Sequence, residues 1–247
     1  MKKNFSLELT SALLHILAMV FMLCDHLWGT IVSGNDWLTC IGRLAYPIFA
    51  FMLVEGYFHT KNLKKYTLRL LIFALLSEIP FNLAIGSRLF YPIHQNILWS
   101  FLISLFLIHW NAQTKAKRNL AVQILVALAS LLSACLAGLL TFVDYNHYGI
   151  LMVLVFYFFR GRKWWCYLGQ LVCMWYINCE MMGGLGYELS LWGKDFFLGQ
   201  QSFALLSLIP IWLYRGKQGH HSKPFQYFCY AFYPAHLLIL GLINHFR

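Results

Sequence analysis

At 247 residues, 60% hydrophobic and 11% charged, with a mean hydropathy of +0.61, the chain is too apolar for a water-soluble domain, which carries roughly 25% charge. The net charge of +10 does not point to nucleic acid, because the lysines and arginines sit at the ends of apolar segments instead of forming one patch. Seven cysteines lie in or beside apolar runs without Cys-x-x-Cys spacing, so neither a zinc motif nor a disulfide framework is indicated, and they read as packing residues.

At roughly 20 residues per membrane-spanning helix plus short loops, this length holds about eight to ten helices and no soluble domain. Lys2 and Lys3 precede an apolar run from about Leu7 to Val32. It is too long for the core of a signal peptide and lacks a small-residue cleavage site, so it reads as a retained first helix. Further spans are expected at about Leu38 to Phe58, Thr67 to Gly86, Ile97 to Trp110, Leu120 to Val143, Gly149 to Phe159, Trp164 to Met182, Gly199 to Tyr214 and Tyr227 to Phe246. No Gly/Ser linker or repeat interrupts them, so 1–247 reads as one all-α polytopic membrane domain of about nine helices.

With the N-terminus in the cytoplasm, alternation of nine spans gathers Lys2, Lys3, Lys61, Lys64, Lys65, Arg69, Lys115, Lys117, Arg118, Arg160, Arg162, Lys163, Arg215, Lys217 and Lys223 on the cytoplasmic side. Arg43, Arg88, Lys194 and Arg247 are left for the other side. That bias is the positive-inside signature and leaves the C-terminus external.

The same map sends Asp25, His26, Arg43, Glu78, Asn82, His94, Asn96, Asp144, His147, Asn178 and Glu180 toward the outer half. His94, Asn96, Asp144 and His147 fall at loops or helix ends, where polar residues are ordinary, and read first as solvated loop residues. An ionisable residue inside a span is different, because hydrocarbon penalises it by several kcal/mol. Glu8, Ser11, His15, Met19, Met22 and His26 recur at spacings of three or four along the first helix and share a face, which could line a passage from the cytoplasmic side toward His26 or form a Met-rich packing seam. Asp25 and His26 are adjacent and so point roughly 100° apart; Asp25 is expected to pair with Arg43 across a short loop instead. Glu55 lies within reach of Lys61 or Lys64, Pro47 frees a backbone carbonyl in the second helix, and Glu78 shares a face with Asn82 around Pro80. Tyr233 and His236, three apart, are able to face one cavity.

A histidine in a partly dry site is suited to general-base work near neutral pH. Deprotonating a hydroxyl or amine would let it attack an acyl thioester. The basic residues Lys61, Lys64, Lys65, Arg69, Arg160 and Arg162 could hold the phosphates of a nucleotide-bearing donor, or contact lipid headgroups alone. There is no Gly-rich phosphate loop, nucleophile elbow or metal-ligand spacing.

The residues resemble those of the TraX family of bacterial membrane proteins: Asp25-His26 closing the first helix, Ile41 to Phe51 (IGRLAYPIFAF), Val54 to Thr60 (VEGYFHT), Arg69 to Ala74 (RLLIFA), Ser77 to Asn82 (SEIPFN) and Phe232 to Leu237 (FYPAHL). Its named member is associated with N-terminal acetylation of conjugative pilin. The family is also similar to the broader transmembrane acyltransferases, in which cytoplasmic acyl-CoA serves an acceptor across the membrane and a first-helix histidine is essential. The resemblance implies that His26 is that histidine, that Asp25 and Arg43 surround it, and that Lys65 and Arg69 contact the donor, with Lys65 standing where the broader pattern has Arg. The resulting expectation is a multi-pass enzyme of the bacterial cell membrane that moves acetyl from acetyl-CoA to a peptide N-terminus, glycan or small amine outside. Its expected catalytic set is His26, Asp25, Arg43, Glu78 and His236. A proton-coupled small-molecule transporter is the rival reading, since intramembrane Asp, Glu and His also mark substrate paths.

Overall fold

The structure, a computed structural model, describes residues 8–191 and 193–246; Lys2, Lys3 and Arg247 lie outside them. Helices α1 (Ser11–Thr30), α2 (Trp37–Gly42), α3 (Ala45–His59), α4 (Leu63–Gly86), α5 (Ile97–Lys117), α6 (Leu120–Leu140), α7 (Asn146–Phe158), α8 (Trp164–Trp175), α9 (Leu208–Leu213) and α10 (Lys223–His245) follow one another in the chain. A π-helical turn, Tyr176–Met181, continues α8, and a 3-10 segment, Gln200–Ser207, leads into α9. Side-chain caps set several of the starts. Thr10, Asn62, Asn96, Asn119 and Ser222 each accept a hydrogen bond from an otherwise unpaired first-turn N–H of the helix that follows.

Every apolar segment expected from the sequence contains helix. Among the described residues six are long and apolar enough to cross a membrane: Ser11–Thr30, Trp37–His59, Leu63–Gly86, Ile97–Ala116, Leu120–Leu140 and Lys223–His245. This is a membrane protein. Asn146–Phe158 and Gln200–Leu213 are shorter apolar helices. Helix α5 runs past Trp110, where the apolar pattern ends, because Asn111 to Lys117 continue it for about two more polar turns.

The second span is broken. Pro47 sits in the first turn of α3, where its missing N–H is not needed. Its ring opposes the carbonyl four residues back, that of Arg43, which is where α2 ends and the chain bends before α3.

One feature was not expected from the sequence. Strands β1 (Gly186–Leu191) and β2 (Lys194–Gly199) form an antiparallel hairpin with Gly186 opposite Gly199 and Leu191 opposite Lys194. Gly193 turns it at φ +73°, a conformation open to glycine.

The core forms around α3 and α7. Ile48, Ala50, Leu53 and Val54 of α3 are buried with Ile150, Met152, Val153, Leu154 and Phe156 of α7. Helix α7 is therefore short yet buried on every side. By contrast α6 buries only Ser130, Ala134 and Gly138 and turns its leucines outward, as a lipid-facing helix does. Helix α10 packs along α4 and touches α1; Phe81 and Ala84 of α4 meet Tyr233 and Leu237 of α10 in a second cluster, with Met22 of α1 against it. This three-helix contact positions the site.

Candidate active site

Helices α1 and α10 bring together two histidines 210 residues apart in the chain. His26 Nδ1 lies 2.6 Å from His236 Nε2, and His236 Nδ1 lies 2.6 Å from the carbonyl oxygen of Phe232, one turn back on α10. The direction of this chain follows from chemistry. A carbonyl only accepts, so His236 Nδ1 carries the proton and donates it to Phe232. In neutral His236 the Nε2 is then a lone pair, which accepts from His26 Nδ1–H. His26 Nε2 is left unprotonated, the form a general base requires. Phe232 stacks on His236 with ring centroids 4.9 Å apart, and the Tyr233 ring lies 6.3 Å from that of His26.

Beside His26, Asp25 faces away into a second network. Thr39 Oγ1 donates to Asp25 Oδ1 at 2.7 Å, Arg43 Nη1 lies 3.8 Å from Asp25 Oδ2, and the same Nη1 donates to the Tyr145 hydroxyl at 3.3 Å. Tyr145 stacks in turn on Tyr46 at 4.6 Å. Glycine at position 42 permits this: a Cβ there would lie 2.4 Å from Asp25 Cβ. The pair thus holds the short helix α2 against α1 beside the histidines.

A cavity of about 560 Å³ runs along α1 on the side of Ser11, His15, Met19 and Met22. At its rim stand the exposed residues His59, Gln218, His220 and His221, together with Arg69. Inward it becomes apolar, with Met52, Phe73, Ile97, Leu98 and Phe101, and it reaches Met22 and Tyr233. Those two residues sit one turn of α1 and one ring from His26. Arg69 is singular here. Its Nε is buried without a hydrogen-bond partner, and its guanidinium lies 5.9 Å over the Tyr230 ring. His15 Nδ1 donates to the Ser11 carbonyl oxygen at 2.8 Å, since that oxygen only accepts.

A family model described as TraX protein matches residues 10–244. The chain belongs to the TraX family. It is also similar to the probable fimbrial assembly protein FimC, serogroup H1, of Dichelobacter nodosus, with 26% identity over 261 residues, covering 95% of this chain and 96% of that protein. No solved structure matches.

All candidate residues fall inside the span matched to TraX, and the fold separates them into groups. His26 pairs with His236 on the α10 side of α1, and the adjacent Asp25 pairs with Arg43 on its α2 side. Glu78 does not reach them: its Oε1 accepts from the Asn96 backbone N–H at 3.2 Å, from the Asn96 side-chain amide and from Trp99 Nε1 at 2.6 Å, which ties α4 to the start of α5. Among the basic residues Arg69 lines the cavity, while Lys61, Lys64 and Lys65 are exposed at the start of α4. Arg160 is engaged elsewhere. Its Nε and Nη2 grip the two Glu55 oxygens at 2.7 and 3.4 Å, and its guanidinium covers the Phe58 ring at 4.1 Å. Glu55 therefore pairs with Arg160, not with Lys61 or Lys64 as its position along the chain suggested. Arg162 reaches the Tyr214 carbonyl at 3.5 Å.

Tyr233 and His236 also divide: the first lines the cavity and the second bonds His26. The sequence does not reveal Tyr145, Thr39 or the Phe232 carbonyl. A phenol or threonine in an apolar helix carries no pattern that separates a site residue from packing, and a backbone acceptor carries none at all.

Proposed function

We propose that this TraX family member is a membrane-embedded acyltransferase that moves an acetyl group from cytoplasmic acetyl-CoA to an amine or hydroxyl acceptor at the extracytoplasmic face of the bacterial cell membrane. The observation that carries the reading is the cavity along α1, which leads from an arginine-bearing rim to the ring beside the His26–His236 pair. A cytoplasmic N-terminus turns that rim, at the start of α1, toward the cytoplasm, in keeping with the distribution of basic residues.

The residues fit a donor of this kind. The unpartnered Arg69 Nε offers a buried cationic donor for a phosphate, and Lys61, Lys64 and Lys65 extend the positive charge outward. The apolar inner part, walled by Met19, Met52 and Phe73, suits the thioester arm. At the inner end His26 Nε2 takes the proton from the acceptor, whose nitrogen or oxygen then bonds to the thioester carbonyl carbon as the carbon–sulfur bond breaks. The proton passes to the departing thiolate, so the products are the acetylated acceptor and free CoA. Asp25 and Arg43 brace α2 against α1 and fix the base.

The similarity to a protein named for fimbrial assembly makes the free N-terminus of a surface-filament subunit one acceptor to try, beside glycans and small amines. The reading is tested with purified protein and labelled acetyl-CoA. CoA release and acceptor labelling are expected from the wild type, and His26→Ala is expected to reduce both by roughly 100-fold or more at unchanged thermal stability. Full activity in that variant, or substrate uptake by proteoliposomes without CoA, removes the proposal.

A further inference from the structure

A second cavity, of about 320 Å³, opens at the opposite end of α4 from the Arg69 rim, between the last turn of that helix and the loop that follows. Phe81, Asn82, Arg88, Tyr91 and His94 line it. Its chemistry differs from that of the first. Asn82 is 4% exposed, and its side-chain carbonyl oxygen is buried without a donor, an arrangement that leaves a strong acceptor unsatisfied. Arg88 extends over the Tyr91 ring at 5.9 Å, and among the described residues no carboxylate pairs with it. His94 contacts Asp144 at 3.5 Å from the other side. One wall thus offers an acceptor for an N–H or O–H, and the other a free guanidinium for an oxyanion.

The cavity also backs onto the catalytic region. Phe81 meets the His94 ring edge-on at 5.0 Å and packs on Tyr233 and Leu237. Tyr233 in turn closes the inner end of the first cavity and lies beside His26. The cluster of Phe81, Ala84, Tyr233 and Leu237 therefore stands between the two cavities, with the histidine pair at its side.

We propose that this outer cavity is the acceptor cradle and that it selects acceptors carrying an oxyanion, carboxylate or phosphate, close to the amine or hydroxyl that is acylated. Arg88 holds the oxyanion and Asn82 accepts from an N–H or O–H of the same molecule. This assignment rests on the acyltransferase reading for its role, but the binding it requires can be read without any acyl donor.

The probe is phosphoethanolamine, followed by phosphorus NMR relaxation with the full-length protein in a phosphate-free maltoside detergent. Saturable binding is expected. Excess inorganic phosphate displaces the probe, whereas the same excess of ethanolamine does not, and Arg88→Met weakens binding at least tenfold; Arg88 is exposed, so its replacement leaves the fold intact. Binding that is indifferent to Arg88→Met, or that ethanolamine displaces as well as phosphate does, overturns the cradle. The two readings fail separately. His26→Ala leaves probe binding unchanged while abolishing CoA release if both hold; loss of the Arg88 dependence alone removes only the cradle, and retained CoA release in His26→Ala removes the acyltransferase reading alone.

Discussion

His26 owes its basic form to a neighbour that no local pattern announces. If the Phe232 carbonyl, His236 and His26 are one proton-ordered chain, the partner at position 236 must donate at one end and accept at the other. His236→Leu removes the acceptor for His26 Nδ1–H and is expected to lower the acyl-transfer rate roughly 100-fold and to displace its pH profile. His236→Gln, whose amide can both donate and accept, is expected to restore part of the rate and the profile; equal loss in both variants would reduce His236 to a packing residue. Of these side chains the sequence makes His26 and Asp25 conspicuous, because each is costly in an apolar run, and it also points to Arg43 as the mate of Asp25. It places His236 in one set with His26 but does not reveal that the two rings bond each other, or that Arg160 pairs with Glu55, since partners 210 and 105 residues apart follow no helical spacing.

A second residue-scale test lies outside the membrane segments. His94 contacts Asp144, and this hydrogen bond, outweighing partial burial and helped by the charges of Asp144 and Glu78, raises its pKa above the ordinary 6.5. A group whose folded-state pKa is raised stabilises the fold fully below its unfolded value and loses that contribution as pH rises through the folded value. Wild type is therefore expected to melt above His94→Gln at pH 5.5 to 6, and the gap in Tm to close as the pH is raised past the elevated pKa. A gap that widens with pH would contradict the pairing.

Elements are held in register by polar residues that a pattern search takes for site residues. Glu78 is the clearest instance. An acidic residue inside α4 reads as catalytic in the sequence, yet its oxygen accepts from Asn96 and Trp99 at the start of α5. Replacing Glu78 by Leu leaves those donors unpaired, and an unpaired buried donor costs about 1–3 kcal/mol. Glu78→Leu is expected to lower thermal stability by an amount in that range, measured by the shift in Tm of the detergent-solubilised protein, and an unchanged Tm would contradict the role. Helix existence was legible in the apolar runs, and the break before α3 in Pro47. The hairpin Gly186–Gly199 was not, because it falls between two expected spans, where its alternation of exposed apolar and polar residues is too short to separate a strand pair from a loop. The sequence marks α7 as one of the short spans, but it gives no warning that this helix would be packed inside the bundle with α3.

At the scale of the molecule, two cavities approach one histidine pair from opposite ends of α4, with the cluster of Phe81, Ala84, Tyr233 and Leu237 between them. Charge bias and hydropathy make the membrane setting plain in the sequence. The stripe of His15, Met19 and Met22 was open to two readings there, a passage or a packing seam, and only the arrangement of α4, α5 and α10 around it leaves space against those side chains. Under the proposed function, such a space would bring donor and acceptor to one base without carrying either across.

Blocking the passage tests that arrangement most directly. Met22 lines the inner end of the first cavity, one turn of α1 before His26, and Met22→Trp fills that end while leaving the rim unchanged. CoA binding by the purified variant, measured calorimetrically, is expected to match that of the wild type, while single-turnover acetyl transfer falls roughly 100-fold, as expected when reacting groups are kept apart. Undiminished transfer through the blocked cavity would contradict the account.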